Sequence, residues 1–125
     1  MGVGMPQGLL LNEFGSHVFN VFGHVCYHVG SSLANKDGWR DVDVRLILDD
    51  AEWDRLGYGE PRDVHNNAKW RSTVLVWSGY GRLLTGLPID FQPQRRSAIS
   101  ESDWNKPRSA LFTVTVREGV ATEKG

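Results

Sequence analysis

The sequence predicts a protein of the α/β (α+β) class, and three patterns carry that prediction. Leu10, Phe14, Val18, Val21 and Val25 recur four, four, three and four apart, the spacing of one helix face. Asp41, Val42, Asp43 and Val44 alternate carboxylate with apolar before Leu46, Ile47 and Leu48, which is the pattern of a half-buried strand. Trp70, Val74, Trp77, Gly81 and Leu84 then return to helical spacing, followed closely by the short apolar run Leu87-Pro88-Ile89-Asp90-Phe91-Gln92. A chain of 125 residues that alternates helices and strands in this way suits one domain with a single core.

The elements follow in order. Residues 1–8, with three glycines and a proline, read as a loose lead-in. A helix is expected from Gln7 to Phe22, stopped by Gly23; Gly15 inside it costs about 1 kcal/mol against alanine. Val25 to Val29 is a strand, with Val25, Tyr27 and Val29 on one face and Cys26 and His28 on the other. His17 and His24 read as surface or capping histidines; His24 and His28 share a face that could chelate a metal, but no cysteine or acid nearby completes a tetrahedral set. Cys26, mid-strand, reads as a small hydrophobe. Residues 30–40 form a turn, a short helical turn near Ser32–Asn35 and a polar loop holding Lys36, Trp39 and Arg40. A second strand runs from Arg40 to Leu48. Asp49 and Asp50 start a helix with Glu52 and Trp53. Residues 57–63 make a turn with a candidate N-cap at Asp63, and a helix over 64–84 carries Lys69 and Arg71 as solvated charges.

Leu87 to Gln92 is a third strand, and its Pro88 suits an edge position. In the polar stretch beyond, Ser100-x-x-Asp103 forms a capping-box pattern for a short helix at Ser100–Asn105. The adjacent cations Arg95 and Arg96 stand ready to meet an acidic acceptor. Leu111 to Val116 reads as a last strand and 118–125 as a frayed tail.

Composition narrows the function classes. Fourteen basic and fifteen acidic residues give a formal charge of −1, which argues against a dedicated duplex-binding protein. A lone cysteine excludes an internal disulfide and fits a reducing, cytoplasmic setting. No apolar stretch is long enough to span a bilayer, so no membrane partner is expected. Five tryptophans supply a core or a surface for stacking on bases.

The chemistry concentrates between Val29 and Val44. On a strand, Asp41 and Asp43 share a face, roughly 6.6 Å apart along the chain. Two like charges at about 4 Å repel by roughly 4 kcal/mol at an effective surface dielectric. A rigid pair of this kind therefore calls for a cation or for one protonated acid. Oxygen-only ligands suit magnesium or manganese, which are commonly shared with substrate phosphates. Arg45 falls on the same face, placed to neutralise the acids or to touch a phosphate. Upstream, Val29-Gly30-Ser31 ends a strand in a turn whose backbone N–H groups and hydroxyl suit phosphate oxygens.

Hydrophobic-Gly-Ser, nine residues, then Asp-hydrophobic-Asp-hydrophobic, with a third acid in Leu87-Pro88-Ile89-Asp90-Phe91, resembles the nucleotidyltransferase signature of the DNA polymerase beta superfamily. The stretch around Asp90 is similar to that of small phage-type and bacterial members. The resemblance covers about Val25 to Gln92. It implies a minimal nucleotidyltransferase fold, a small mixed sheet with helices packed on one face. It implies Asp41, Asp43 and Asp90 as catalytic acids holding two Mg²⁺ or Mn²⁺ ions, with Gly30, Ser31, Ser32 and Arg45 at the phosphates of a nucleoside triphosphate. The activity implied is transfer of a nucleoside monophosphate to an acceptor hydroxyl with release of pyrophosphate. The acceptor, a small molecule, protein or RNA, is left open, and with only some thirty residues beyond the core it is either small or held by a partner protein or a second subunit. Two other classes stay open: a catalytically silent, antitoxin-like binding module of the same fold, and a metal-dependent nuclease, which also clusters carboxylates.

Overall fold

Strand β2 (Val42–Leu48) is the axis of a four-stranded mixed sheet. β1 (Cys26–Val29) pairs with it antiparallel on one side, and β3 (Ile89–Arg95) pairs with it parallel on the other. β4 (Ser109–Leu111) adds to the outer edge of β1, giving the order β3-β2-β1-β4. The computed structural model describes residues 6–30, 32–33 and 41–111. The expectations for Lys36, Trp39, Arg40, residues 112–116 and the tail fall outside them.

The alternation in β2 sorts its side chains as expected. Val42, Val44, Leu46 and Leu48 are fully buried, while Asp43, Arg45 and Ile47 point the other way and are half-buried. Each buried aliphatic contributes up to about 1.5–3 kcal/mol. Helices α1 (Gln7–Phe22) and α3 (Ala68–Thr85) cover this face. Phe14 meets Phe91 edge-on at 6.0 Å and Trp77 at 6.1 Å. The fold is therefore mixed α+β, and among the described residues α1 and α3 leave the opposite face of β1, β2 and β3 uncovered.

Two glycines set how closely α1 and α3 approach the sheet. A Cβ on Gly15 would lie 1.9 Å from the Leu111 carbonyl oxygen, and one on Gly81 would lie 3.1 Å from Ile89 and from Phe14. Gly15, a weakness by helix propensity, is thus a packing requirement of the α1–β4 contact.

Several boundaries differ from the expectations, each for a local reason. α1 keeps the expected bounds Gln7–Phe22, so Gln7 and Gly8, also read as part of the loose lead-in, belong to the helix. Asp63 is not an N-cap: it lies inside a 3-10 turn, Pro61–Asn66, and α3 is capped by Asn67, whose side chain accepts from the Trp70 N–H at 2.9 Å and donates to the Gly57 carbonyl at 3.0 Å. β3 runs to Arg95, straight through Pro93, because it is an edge strand and Pro93 lacks only an outward N–H. The outer rim of β3 is satisfied from α3: Ser78 accepts from the Phe91 N–H at 2.9 Å, Arg82 donates to the Ile89 carbonyl at 3.0 Å, and Trp70 to the Pro93 carbonyl at 3.1 Å. That cover protects the edge from foreign strands.

Helix α2 (Asp50–Leu56) starts where expected, with Asp49 as N-cap accepting from the Glu52 N–H at 2.8 Å. Arg95, expected to be free for an acceptor, instead reaches Asp50 and Asp54 of α2 at 3.2 and 3.3 Å. Helix α4 (Glu101–Trp104) is capped by Ser100 through the Asp103 N–H, as the sequence pattern indicated. No helix among the described residues is long and apolar enough to cross a membrane.

Candidate functional site

Register builds the carboxylate cluster. Val29, Asp43 and Asp90 lie abreast on β1, β2 and β3, and Tyr27, Arg45 and Gln92 form the next row. Asp41 precedes β2 by one residue and rises on the same face. Asp41, Asp43 and Asp90 each offer a carboxylate oxygen within 4.8 Å of the others. Such an oxygen-only donor set, carried on rigid strands, fits a hard divalent cation of the magnesium or manganese type.

Arg45 is the internal counter-charge. Its guanidinium lies 3.4 Å from the Asp90 carboxylate and 3.8 Å from that of Asp43, and it donates to the Asp90 carbonyl at 2.7 Å. Among the described residues, one cation among three acids leaves the cluster net negative. Burial holds the Asp43 carboxyl above the ordinary carboxylate range; Arg45 pulls it back, while Asp90 and Asp41 push it further up. A second positive charge would relieve this, since an opposite charge within a few ångströms favours the ionised carboxyl.

The turn after β1 presses on the cluster. Gly30 adopts φ +86°, and a Cβ there would lie 2.5 Å from Asp43 Oδ2. Only glycine combines the left-handed backbone with that approach. Its carbonyl accepts from the Leu33 N–H at 3.1 Å, closing the turn. Ser32 is fully buried, and its hydroxyl lies 2.7 Å from His28 Nε2. Burial lowers the His28 pKa below the ordinary histidine value. The Ser32–His28 bond thus anchors the turn to the core side of the sheet, and the Ser32 hydroxyl faces inward. Ser31 lies outside the described residues.

A groove of about 880 Å³ opens on the sheet face away from α1 and α3, bordered at one end by Val29, Gly30, Arg45 and Gln92, the neighbours of the acids. Trp53, Trp70 and Trp104 line its walls, and Gln94 lies on its floor. The Trp104 ring is sandwiched between two guanidiniums, Arg96 at 3.6 Å and Arg108 at 4.0 Å, a cation–π arrangement. Sequence reasoning did not single out Gln92, Gln94, Trp104 or Arg108. The signal for the two glutamines was present: they follow Asp90 at i+2 and i+4 on one strand face. Trp104 and Arg108 join the groove through tertiary packing and leave no such periodicity.

His24 and His28 do not form a metal pair. His24 Nδ1 bonds to the Phe22 carbonyl at 3.0 Å, whereas His28 is buried against Ser32. Cys26 is fully buried, and burial pushes its thiol up to about 12, so it packs as a hydrophobe. Comparison of the chain with protein-family models, with curated proteins and with solved structures returns no match.

Proposed function

We propose that the chain is a metal-dependent nucleotidyltransferase, moving a nucleoside monophosphate from a nucleoside triphosphate to an acceptor hydroxyl and releasing pyrophosphate. The observation that carries this reading is the meeting of Asp41, Asp43 and Asp90 within 4.8 Å at the end of a large groove, with the Gly30 turn against them. Asp41 and Asp43 would hold two divalent ions, and Asp90 would complete the site on the acceptor side. Bound there, Mg²⁺ or Mn²⁺ supplies positive charge to the phosphates and acidifies the acceptor hydroxyl.

The chain's own groups have definite tasks. The Gly30 turn offers backbone N–H groups to phosphate oxygens without a side chain in the way. Asp90 orients the attacking hydroxyl for in-line approach to the α-phosphorus. The aromatic walls and the amides of Gln92 and Gln94 supply surface for a base and sugar. Arg45, now beside Asp43 and Asp90, would be within reach of a phosphate if divalent ions took over those carboxylates.

One feature favours a second reading. Arg45 already spans Asp43 and Asp90, so the cluster is partly neutralised from within, as in a silent binding module of the same fold. The test is nucleotide affinity by calorimetry beside pyrophosphate release, for wild type and Asp90→Ala with magnesium or manganese. The transferase reading expects nucleotide binding largely kept and turnover lost in the variant, because Asp90 acts mainly in the transition state. Nucleotide binding without pyrophosphate release under any acceptor selects the binding module. No nucleotide binding with metal present rules out both.

A further inference from the structure

A second constellation lies on the opposite side of the sheet, between α1 and α3. The Tyr80 hydroxyl is 2.5 Å from His17 Nδ1, and His17 Nε2 is 2.8 Å from the Glu13 carboxylate. Glu13 and His17 are four residues apart on α1; Tyr80 comes from α3 and stacks on the His17 ring at 5.6 Å. The three groups form a hydroxyl–imidazole–carboxylate relay, the arrangement that activates a hydroxyl for attack. With the carboxylate accepting at Nε2, the neutral imidazole carries its proton there and leaves Nδ1 free to accept from the phenol. Tyr80 is exposed, and it borders a shallow apolar groove of about 480 Å³ with Asn20, Val21, Val76 and Trp77. The other two tyrosines differ: Tyr58 is buried and bonded to Thr73, and Tyr27 lies under the Arg108 guanidinium.

We propose that Tyr80 is an acceptor hydroxyl for nucleotidyl transfer, modified by the carboxylate site of a second copy of this chain. The inference rests on the nucleotidyltransferase reading and names its acceptor class, a protein tyrosine. A second copy is required because Tyr80 stands on the helix side of the sheet while Asp43 and Asp90 stand on the open side. The apolar side chains around Tyr80, Val21 and Val76, each 64% exposed, give the incoming copy a surface to rest on.

The step balances without another reactant. The Tyr80 oxygen attacks the α-phosphorus of a triphosphate held by the other copy. The new phenolic O–P bond forms as the bond between the α-phosphorus and its bridging oxygen breaks. Pyrophosphate leaves with that electron pair, and the phenolic proton passes to His17 Nδ1. Glu13 then stabilises the resulting imidazolium.

The experiment uses full-length protein with each nucleoside triphosphate labelled at the α-phosphate, Mg²⁺ or Mn²⁺, and peptide mass mapping. The expected result is one nucleoside monophosphate on the Tyr80 peptide. Tyr80→Phe, which keeps the ring packing, should lose that label with nucleotide affinity unchanged by calorimetry. His17→Gln should slow labelling by about 10²-fold, the lower range for a general base. A mixture of Asp43→Asn, which has Tyr80 but a broken site, with Tyr80→Phe, which has the site but no acceptor, should label the Asp43→Asn chain alone. An arylsulfonyl fluoride, needing neither metal nor nucleotide, should modify Tyr80 faster than Tyr27 or Tyr58, and His17→Gln should slow modification of Tyr80 while leaving the rates at Tyr27 and Tyr58 unchanged.

Label on another residue, or label retained in Tyr80→Phe, overturns the inference and leaves the transferase reading standing. So does pyrophosphate release to an added acceptor with no label on Tyr80. Failure to bind nucleotide in calorimetry removes the transferase reading itself, and the inference with it.

Discussion

Replacing Gly30 with alanine tests the link between the turn and the carboxylates. Two effects add. At φ +86° an L-residue costs about 1–2 kcal/mol relative to glycine. That lowers the melting temperature by roughly 3–8 °C in a domain of this size. Separately, the new Cβ would stand 2.5 Å from Asp43 Oδ2, where ordinary contact begins at 3.4 Å. The carboxylate must withdraw by about 0.9 Å, well beyond the ±0.2 Å that a metal–ligand distance tolerates. Divalent affinity should therefore fall at least tenfold, about 1.4 kcal/mol. The assay is thermal melting across a magnesium or manganese titration for wild type, Gly30→Ala, Asp43→Ala and the double variant. Wild type should gain stability with ion concentration as RT ln(1 + [L]/Kd), and Gly30→Ala should need about ten times more ion for the same gain. In the Asp43→Ala background the clash has no partner, so Gly30→Ala should cost only its backbone share. A Gly30→Ala protein with the full wild-type ion response would refute the argument that the turn positions Asp43 in an ion site.

Three further outcomes follow from other contacts. Arg45→Met removes the cation that pairs with Asp43 and Asp90 and should destabilise the metal-free protein by about 1–3 kcal/mol, between the exposed and buried limits for an ion pair; denaturation in EDTA and in about 5 mM Mg²⁺ should show the ion restoring more stability than it adds to wild type. The Asp43 carboxyl, raised by burial, contributes stability below the ordinary carboxylate range and loses it as pH rises through its own higher value. Asp43→Asn should accordingly gain on wild type in metal-free buffer between about pH 4 and neutrality, and a flat difference across a pH series of melts would contradict this. Gly15→Ala should lower stability by about 1–3 kcal/mol in chemical denaturation, through overpacking against the Leu111 carbonyl, against the gain of about 1 kcal/mol that helix propensity alone predicts.

The legible parts of the fold were those written in local periodicity. Helix α1 declared both ends, through its apolar spacing and through Gly23, whose N–H reaches the Phe19 carbonyl at 2.7 Å. Strand β2 declared which side chains enter the core. The end of β3 at Arg95, three residues past the expected Gln92, was not legible, because a strand runs through a proline such as Pro93 only at an edge, and edge status is a property of the whole sheet. Asp63 misled because Asn67, a residue of equal capping strength, competes four positions later and wins by also reaching Gly57. At the candidate site, the pairing of Asp41 with Asp43 and the place of Arg45 beside them follow from a period of two. The approach of Asp90 does not: it depends on the parallel register of two strands far apart in sequence, and only the resemblance suggested it. The Glu13–His17 spacing was visible as i, i+4, but its partner Tyr80 lies 63 residues away, where no local pattern reaches.

The register of β2 with β3 also bears on how the chain reaches its native state. Asp43 comes to lie directly beside Asp90, and like charges abreast disfavour the pairing. Yet a slip of one residue would carry Phe91 into solvent and Asp90 into the core between α1 and α3, a far larger penalty. Core packing thus enforces a charge alignment that electrostatics alone would avoid. Contacts such as that of Arg45 with Asp90, separated by 45 residues, close a long loop and form slowly compared with the β1–β2 hairpin. The half-site of Asp41 and Asp43 is then present before the third acid arrives. Repulsion acts on β3 as it docks, so a divalent ion resting on the first two acids should speed that docking as well as stabilise its result.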